Sequence, residues 1–376
     1  MNKKRILYVL GGNSSANGMS AVISQKMNYL ATHTDYELTA LLTEPLNNPM
    51  YYPLHETIKV INFNINFDEL DTMPIYKKVW YYRIKQKEYK RMFTDLLMKE
   101  KYDIVVSAMR REINFLTDVK DGSKKVGELH FCRVCYRIFN ASFLPRFINK
   151  YITRLWQNKL IKQIKQLDKF VVLSQEDADA WGNTSNMVVI HNPIKEYPSV
   201  TSNCENKKVI AVGRYTWQKG FDMLIQAWRI VDIKHPDWEL HIYGFGDNKA
   251  YQELAGQGVF CHGAVKDIYD KYRESSIFAF SSRYEGFGLV LAEAMSCGIP
   301  AVSFACPCGP KDIITNDGIL VEPGNIEEFA EGICKLIEDE TLRKEMGKNG
   351  HLNMRRFEET AIMQKWIDLF DNLCNS

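Results

Sequence analysis

Short apolar runs rich in β-branched residues recur along this chain, each followed by a longer amphipathic stretch, and the rhythm runs through twice. The first series is residues 5–10, 36–43, 58–63, 104–107 and 170–174; after Lys207 it restarts with 209–212, 239–243, 259–261, 277–281 and 301–304. Residues 19–32, 221–234 and 326–339 read as helices between them. Short continuous apolar runs suit strands buried on both faces, and such strands alternating with helices build parallel sheets covered on both sides. The pattern predicts an α/β chain of two Rossmann-like, doubly wound domains facing a cleft. A length of 376 residues fits two domains at roughly 150 each. The polar stretch 195–208, with Pro198, is the expected linker. Residues 360–373 carry Ile362, Trp366, Leu369, Phe370 and Leu373 at helical spacing. The expected domains are 1–194, completed by a last helix over 357–376, and 195–356.

Composition excludes the other broad classes. An apolar fraction of 45% with 25% charged residues is that of a folded globular chain. No run reaches the ~18 apolar residues of a membrane span. The opening Met-Asn-Lys-Lys-Arg-Ile-Leu-Tyr-Val-Leu-Gly-Gly reads as a first buried strand rather than a secretory signal, whose apolar region is longer. Nine cysteines at scattered spacings argue against a disulfide framework and for a reducing cytoplasm. The net charge of +2 hides an asymmetry, +9 over residues 1–190 and −7 over the rest. A basic first half suits an anionic membrane surface, a phosphorylated substrate or nucleic acid.

In parallel sheets of this kind ligands bind beyond the carboxyl ends of the strands, so the loops there are the candidates for chemistry. The densest is Ser281-Ser-Arg-Tyr-Glu-Gly-Phe-Gly-Leu-Val-Leu-Ala-Glu293, where a strand ends and a helix starts near Gly288. Free amides at a helix start suit negatively charged oxygens, and Glu285 and Glu293 can accept paired hydrogen bonds from vicinal hydroxyls. A capped surface helix with two solvated glutamates would have the same spacing. Upstream, Arg214 and Lys219 share one strand–helix loop beside Gly213 and Gly220, an arrangement able to clamp a diphosphate or simply to sit in solvent. Tyr243-Gly-Phe-Gly-Asp247, containing Gly244, reads as a tight loop near a nucleotide, with Lys249 where a dinucleotide fingerprint needs glycine.

In the first half, the loop from Gly11 to Val22, with Gly12 and Gly18, lacks the Lys-Ser/Thr pair of an ATP-binding P-loop but can bring a phosphate to helix amides. His130 follows a short strand and can point into the cleft or serve structure alone. Cys132-x-x-Cys135 and Cys306-x-Cys308 have partial metal-ligand spacing without a second pair, so no metal is expected. The only Asp-x-Asp, Asp177-Ala-Asp179, is followed by a helix-like run.

Taken in order, these motifs resemble the family 4 retaining glycosyltransferases, whose fold is called GT-B. The resemblance runs through nearly the whole chain. It includes the glycine-rich first loop, Val-Leu-Ser-Gln-Glu-Asp-Ala-Asp-Ala-Trp ending at Trp181, and His191-Asn-Pro-Ile. It continues through Gly213-Arg-Tyr-Thr-Trp-Gln-Lys-Gly-Phe, the Glu285-x7-Glu293 spacing and Cys308-Gly-Pro-Lys-Asp-Ile. The resemblance implies that Arg214 and Lys219 hold the donor diphosphate. Glu285 would bind the transferred sugar, with the amides of Phe287, Gly288 and Leu289 helping, and Glu293 the ribose. His130 would support the transition state, and Gly12 and Gly18 would admit acceptor and phosphate.

The implied reaction moves a hexose or N-acetylhexosamine from a nucleotide-sugar, UDP-linked rather than GDP-linked, to a glycan or lipid-linked glycan. It proceeds by front-face displacement with an α-linkage, needs no cofactor or metal and involves no nucleic acid. A sugar-nucleotide epimerase or a non-catalytic carbohydrate-binding homologue on the same fold is the alternative. Asn17 and Met19 beside Gly18, Asp312 where glutamate is frequent, and Ala305 where aspartate is frequent depart from the family pattern. The expected location is the cytoplasm, peripheral on the inner face of the membrane. Two aromatic-containing basic stretches, 75–92 and 143–167, supply the motive for docking there.

Overall fold

The computed structural model describes residues 3–12, 18–46, 50–139 and 144–375. The first domain holds strands β1 (Arg5–Val9), β2 (Glu37–Leu42), β3 (Lys59–Asn62), β4 (Ile104–Ser107), β5 (Lys124–Glu128), β6 (Lys169–Val172) and β7 (Met187–Val189). Helices α1 (Gly18–His33), α2 (Ile75–Glu100), α3 (Arg146–Ile164) and α4 (Gln175–Trp181) connect and cover them. The second domain holds β8 (Lys208–Val212), β9 (Glu239–Tyr243), β10 (Val259–His262), β11 (Ile277–Phe280), β12 (Ala301–Phe304) and β13 (Gly318–Val321). Its helices are α5 (Phe221–Lys234), α6 (Lys249–Leu254), α7 (Ile268–Arg273), α8 (Leu289–Ser296), α9 (Pro310–Ile313), α10 (Ile326–Glu338) and α11 (Glu340–Met354). A last helix, α12 (Glu359–Asn375), follows.

Both sheets are wholly parallel and share one winding. The first is ordered β3-β2-β1-β4-β5-β6-β7 and the second β10-β9-β8-β11-β12-β13. Alternation along β1 shows why the first sheet is covered twice. Ile6 and Tyr8 enter the core on one face, Leu7 and Val9 that on the other. The first of these cores is continuous with that of the second domain. In α5, Phe221, Leu224, Ile225, Trp228 and Val231 recur at helical spacing and are all buried.

The observed strands extend the sequence expectation. β7 and β13 were not among the expected runs, β5 is the short strand expected before His130, and β8 begins at Lys208, inside the expected linker. The chain crosses between the domains twice, over residues 190–207 and again near Phe357, where Ile194 N donates to Phe357 O at 2.9 Å. Beyond the second crossing α12 packs on the first domain. Asp371 accepts from Lys4 and Tyr36, and Trp366 lies under Lys26. Among the described residues no helix is long and apolar enough to cross a membrane.

Candidate active site

In a sheet wound this way the connections from its two central strands run to opposite faces, leaving a crevice at their carboxyl ends. In the second domain those strands are β8 and β11. The loops leaving them hold Arg214 and Lys219 on one side and Glu285 on the other.

Lys219 ends a 3₁₀ turn, Trp217–Lys219, and its Nζ lies 2.7 Å from Glu285 Oε1. Both side chains are nearly buried, 13% and 9% exposed, so the pair is poorly screened by solvent. Arg214 is exposed, and no hydrogen bond or ion pair reaches its guanidinium among the described residues. Gly244 explains how the β8 and β9 loops run against one another. A Cβ there would stand 1.7 Å from Gly213 O, while Gly213 N donates to Tyr243 O and Tyr215 N to Phe245 O.

Gly288, at φ 95°, turns the chain into α8, whose first amides have no acceptor one turn back. The Phe287 side chain is buried against the rings of His191 and Phe357. Leu289 is the first residue of α8, and Glu293 follows one turn later. Burial pushes the Glu293 carboxyl up to about 7, with Lys195 opposing. No protein group hydrogen-bonds to it among the described residues. Two solvated glutamates are thereby excluded, since Glu285 and Glu293 are 7% and 9% exposed.

The first domain meets this wall at His130. A Cβ at position 286 would lie 2.3 Å from His130 O, so only glycine lets the Glu285 loop close on it. His130 Nε2 lies 2.9 Å from Glu128 Oε1 in β5, and Glu128 also pairs with Lys26 of α1. All three side chains are buried, and Lys26 Nζ stands 3.9 Å above the Trp366 ring. Burial raises the Glu128 pKa, but Lys26 and His130 outweigh it and hold the carboxyl down at about 2. Lys26 and Glu128 were missed from sequence, because no local spacing links residues so far apart. In the glycine-rich loop, Gly12 O accepts from Ser20, and Gly18 is the first residue of α1. Residues 13–17 of that loop, Asn17 included, lie outside the described residues.

Further bonds join the domains beside the site. Gln175 N donates to Asp312 Oδ2 at 2.9 Å and Cys308 N to Glu176 Oε2 at 2.8 Å. Asp177, the first acid of the Asp-x-Asp, accepts from Arg133 N and Trp181 Nε1 and is buried. Among the described residues no group of three or more His, Cys, Asp or Glu is placed to hold a metal ion.

The two basic stretches are helices α2 and α3, packed on the same face of the first sheet. Tyr89, Phe93 and Leu97 anchor α2, whereas Val79, Trp80, Tyr81 and Ile84 are exposed. On α3, Phe147, Tyr151, Leu155 and Trp156 are exposed. Lys78, Lys85 and Lys90 pair with Asp71, Glu69 and Asp118. Lys77, Arg83, Lys87 and Arg91, and the basic residues of α3, enter no ion pair among the described residues.

The family described as "Glycosyl transferases group 1" matches residues 195–352. An uncharacterized glycosyltransferase of Haemophilus influenzae is 30% identical over 240 residues, 61% of this chain and 65% of the relative. The amylovoran biosynthesis glycosyltransferase AmsD of Erwinia amylovora is 32% identical over 223 residues, covering 54% and 62%. The chain thus spans less than two thirds of these relatives' lengths. Staphylococcus aureus TarM, solved with fondaparinux, α-GlcNAc-glycerol and UDP, superposes with a TM-score of 0.73 at 16% identity, over 99% of this chain and 100% of that one. The two-sheet architecture is that of the GT-B glycosyltransferases.

Proposed function

We propose that this chain, whose residues 195–352 match the group 1 glycosyl transferases and whose fold is GT-B, is a retaining glycosyltransferase of polysaccharide biosynthesis. It moves a hexose or N-acetylhexosamine from a UDP-sugar to a glycan or lipid-linked glycan, forming an α-linkage. The observation that carries this reading is the convergence of Arg214, the Lys219–Glu285 pair, the amino end of α8 and the unpartnered Glu293 on the loops of β8 and β11. The UDP bound to TarM and the amylovoran role in the name of AmsD support the donor and pathway class.

In this mechanism the acceptor hydroxyl attacks the anomeric carbon on the face from which the diphosphate departs. Negative charge grows on the leaving phosphate, and Arg214, Lys219 and the α8 amides stabilise it from fixed positions without a metal. Lys219 is held in place by Glu285, so little reorganisation precedes reaction. Glu285 faces the sugar hydroxyls, and Glu293 accepts from those of the ribose. The backbone of His130 lies against Gly286 and its ring is backed by anionic Glu128, which supports a role for the ring beside the sugar as it becomes cationic. Closely packed walls exclude water and limit donor hydrolysis. A membrane-facing surface over α2 and α3 would bring a lipid-linked acceptor to the first domain.

The test is a thermal-shift screen against UDP-, GDP- and ADP-sugars, followed by NMR of the product's anomeric signal. Stabilisation by a UDP-sugar, UDP release that depends on acceptor, and an α-anomer support the reading. A free epimerised sugar without acceptor supports the epimerase instead, and no stabilisation by any nucleotide-sugar overturns both.

A further inference from the structure

The Cys132-x-x-Cys135 pair takes no part in the transfer. Its two Sγ atoms lie 3.0 Å apart in the turn that follows His130. The turn is closed by Cys135, whose N and Sγ both donate to Cys132 O, at 3.2 and 3.3 Å. A disulfide needs about 2.0 Å between sulfurs, so a movement of ~1 Å joins them. Cys132 is fully buried and Cys135 half-buried, which leaves one sulfur within reach of a small reagent and shelters the other. A third thiol, Cys308 of the second domain, hydrogen-bonds to Cys132 and lies 3.6 Å from Asp177 Oδ1. Hydrogen bonds from Cys135 and Cys308 hold the Cys132 thiol well below its ordinary range, which favours the thiolate.

We propose that Cys132 and Cys135 form a reversible oxidation site, closing to a disulfide by exchange with a small-molecule disulfide such as that of glutathione. Cys135, the more accessible sulfur, hands its proton to the neighbouring Cys132 thiolate as it attacks one sulfur of the small disulfide, and the departing small thiolate takes that proton up. Cys132 then attacks the Cys135 sulfur of the mixed disulfide, and the second small thiolate leaves and is protonated in turn. Two cysteine thiols are oxidised and one small disulfide is reduced to two thiols. The new bond takes Cys132 away from Cys308. Cys308 adjoins Pro307, whose carbonyl accepts the amide of Glu285 at 3.1 Å. Oxidation thus loosens the seat of Glu285, a consequence that rests on the function proposed above, whereas the disulfide itself does not.

The experiment incubates the full chain in glutathione redox buffers, alkylates free thiols and maps the cysteines after trypsin. Arg133 lies between the two cysteines, so their disulfide appears as linked peptides 126–133 and 134–137. The expected result is that linked pair in oxidising buffer, its loss with dithiothreitol, and a several-fold weaker UDP affinity that Cys135→Ser abolishes without altering reduced-state affinity. Alkylation of both cysteines in fully oxidising buffer overturns the site. A mapped disulfide with unchanged UDP affinity overturns its coupling to Glu285. Absence of UDP binding by the reduced chain counts against the proposed function and leaves the mapping intact.

Discussion

Lys219 and Glu285 hold one another at 2.7 Å, so each is kept in place by the other. Arg214 has no such partner, and the two cations should therefore respond differently to removal. Arg214→Ala should leave thermal stability within about 0.5 kcal/mol of the parent. Lys219→Ala should destabilise, because a nearly buried carboxylate is left unpaired. Both should weaken UDP binding by about 1.5–3 kcal/mol, the worth of a charged hydrogen bond. Calorimetric titration with UDP, paired with thermal melts, measures both; unchanged affinity in both variants would remove the diphosphate clamp.

The buried Glu293 predicts a pH dependence of nucleotide binding. Its carboxyl titrates at about 7 in the free chain, and hydrogen bonds from ribose hydroxyls favour the ionised form. Binding below that pH must release a proton, so affinity should rise as pH is raised from 5 to 8. Calorimetry in buffers of different ionisation enthalpy detects the released proton, and Glu293→Gln should lose it. The sign for folding is opposite. A raised carboxyl pKa stabilises the folded chain below the unfolded value of 4.5 and loses that contribution as pH rises through 7. Glu293→Gln should therefore melt higher than the parent at pH 8.

His130→Ala should lower kcat on the order of 100-fold with a small change in donor affinity, because its contact strengthens only as the sugar becomes cationic. Normal turnover in a folded variant would return His130 to structure alone. Its support, Glu128, should act on stability as well. Glu128→Gln leaves Lys26 buried without its counter-charge, at a cost of about 3–5 kcal/mol. The Glu128 carboxyl is held at about 2, below its unfolded value of 4.5. Its contribution is present above pH 4.5 and lost as pH falls through 2. The acid limb of a denaturation curve should therefore be shallower in Glu128→Gln.

Gly286→Ala puts a methyl 2.3 Å from the His130 carbonyl, a backbone atom that cannot turn aside. The domains should be held apart, with a lower kcat and a larger radius of gyration by small-angle scattering in the presence of UDP. An unchanged radius and turnover would mean that the contact does not set the closure.

The exposed aromatic and basic faces of α2 and α3 predict binding to anionic vesicles at low salt, weakened at high salt and absent on neutral lipid. Each basic side chain near such a surface contributes about 1 kcal/mol. Charge reversal at Lys77, Arg83, Lys150 and Arg154, none of them ion-paired among the described residues, should abolish co-sedimentation. Failure of the parent chain to sediment with anionic vesicles would favour a soluble acceptor.

The alternation of buried strands was legible because both sheets are parallel and their strands carry runs such as Ile104-Val-Val-Ser107. The short strand expected before His130 is β5, but its bounds could not be read because it opens on two lysines and ends on glutamate. Lys125 is buried against Asp121, and Glu128 against Lys26, so charge stands where apolar residues were expected. β7 spans three residues and β13 begins on glycine, too little pattern to read. Arg214, Lys219, Glu285 and Glu293 stood out because tight loops and a helix start concentrate them locally. The pairing of Lys219 with Glu285 was not legible, since residues 66 apart meet only once β8 and β11 lie side by side.

The two crossings between the domains have a mechanical consequence. A body hung on a single flexible strand swings and twists in every direction. Here the outgoing and returning strands touch, through the bond from Ile194 N to Phe357 O, and act as a double tether. Relative motion is then confined to a narrow set of rotations about that ribbon, so the facing walls of the two domains would re-meet in register each time they part. Removing α12 would cut one tether, turning a guided hinge into a loose leash while leaving Arg214, Lys219, Glu285 and Glu293 in place.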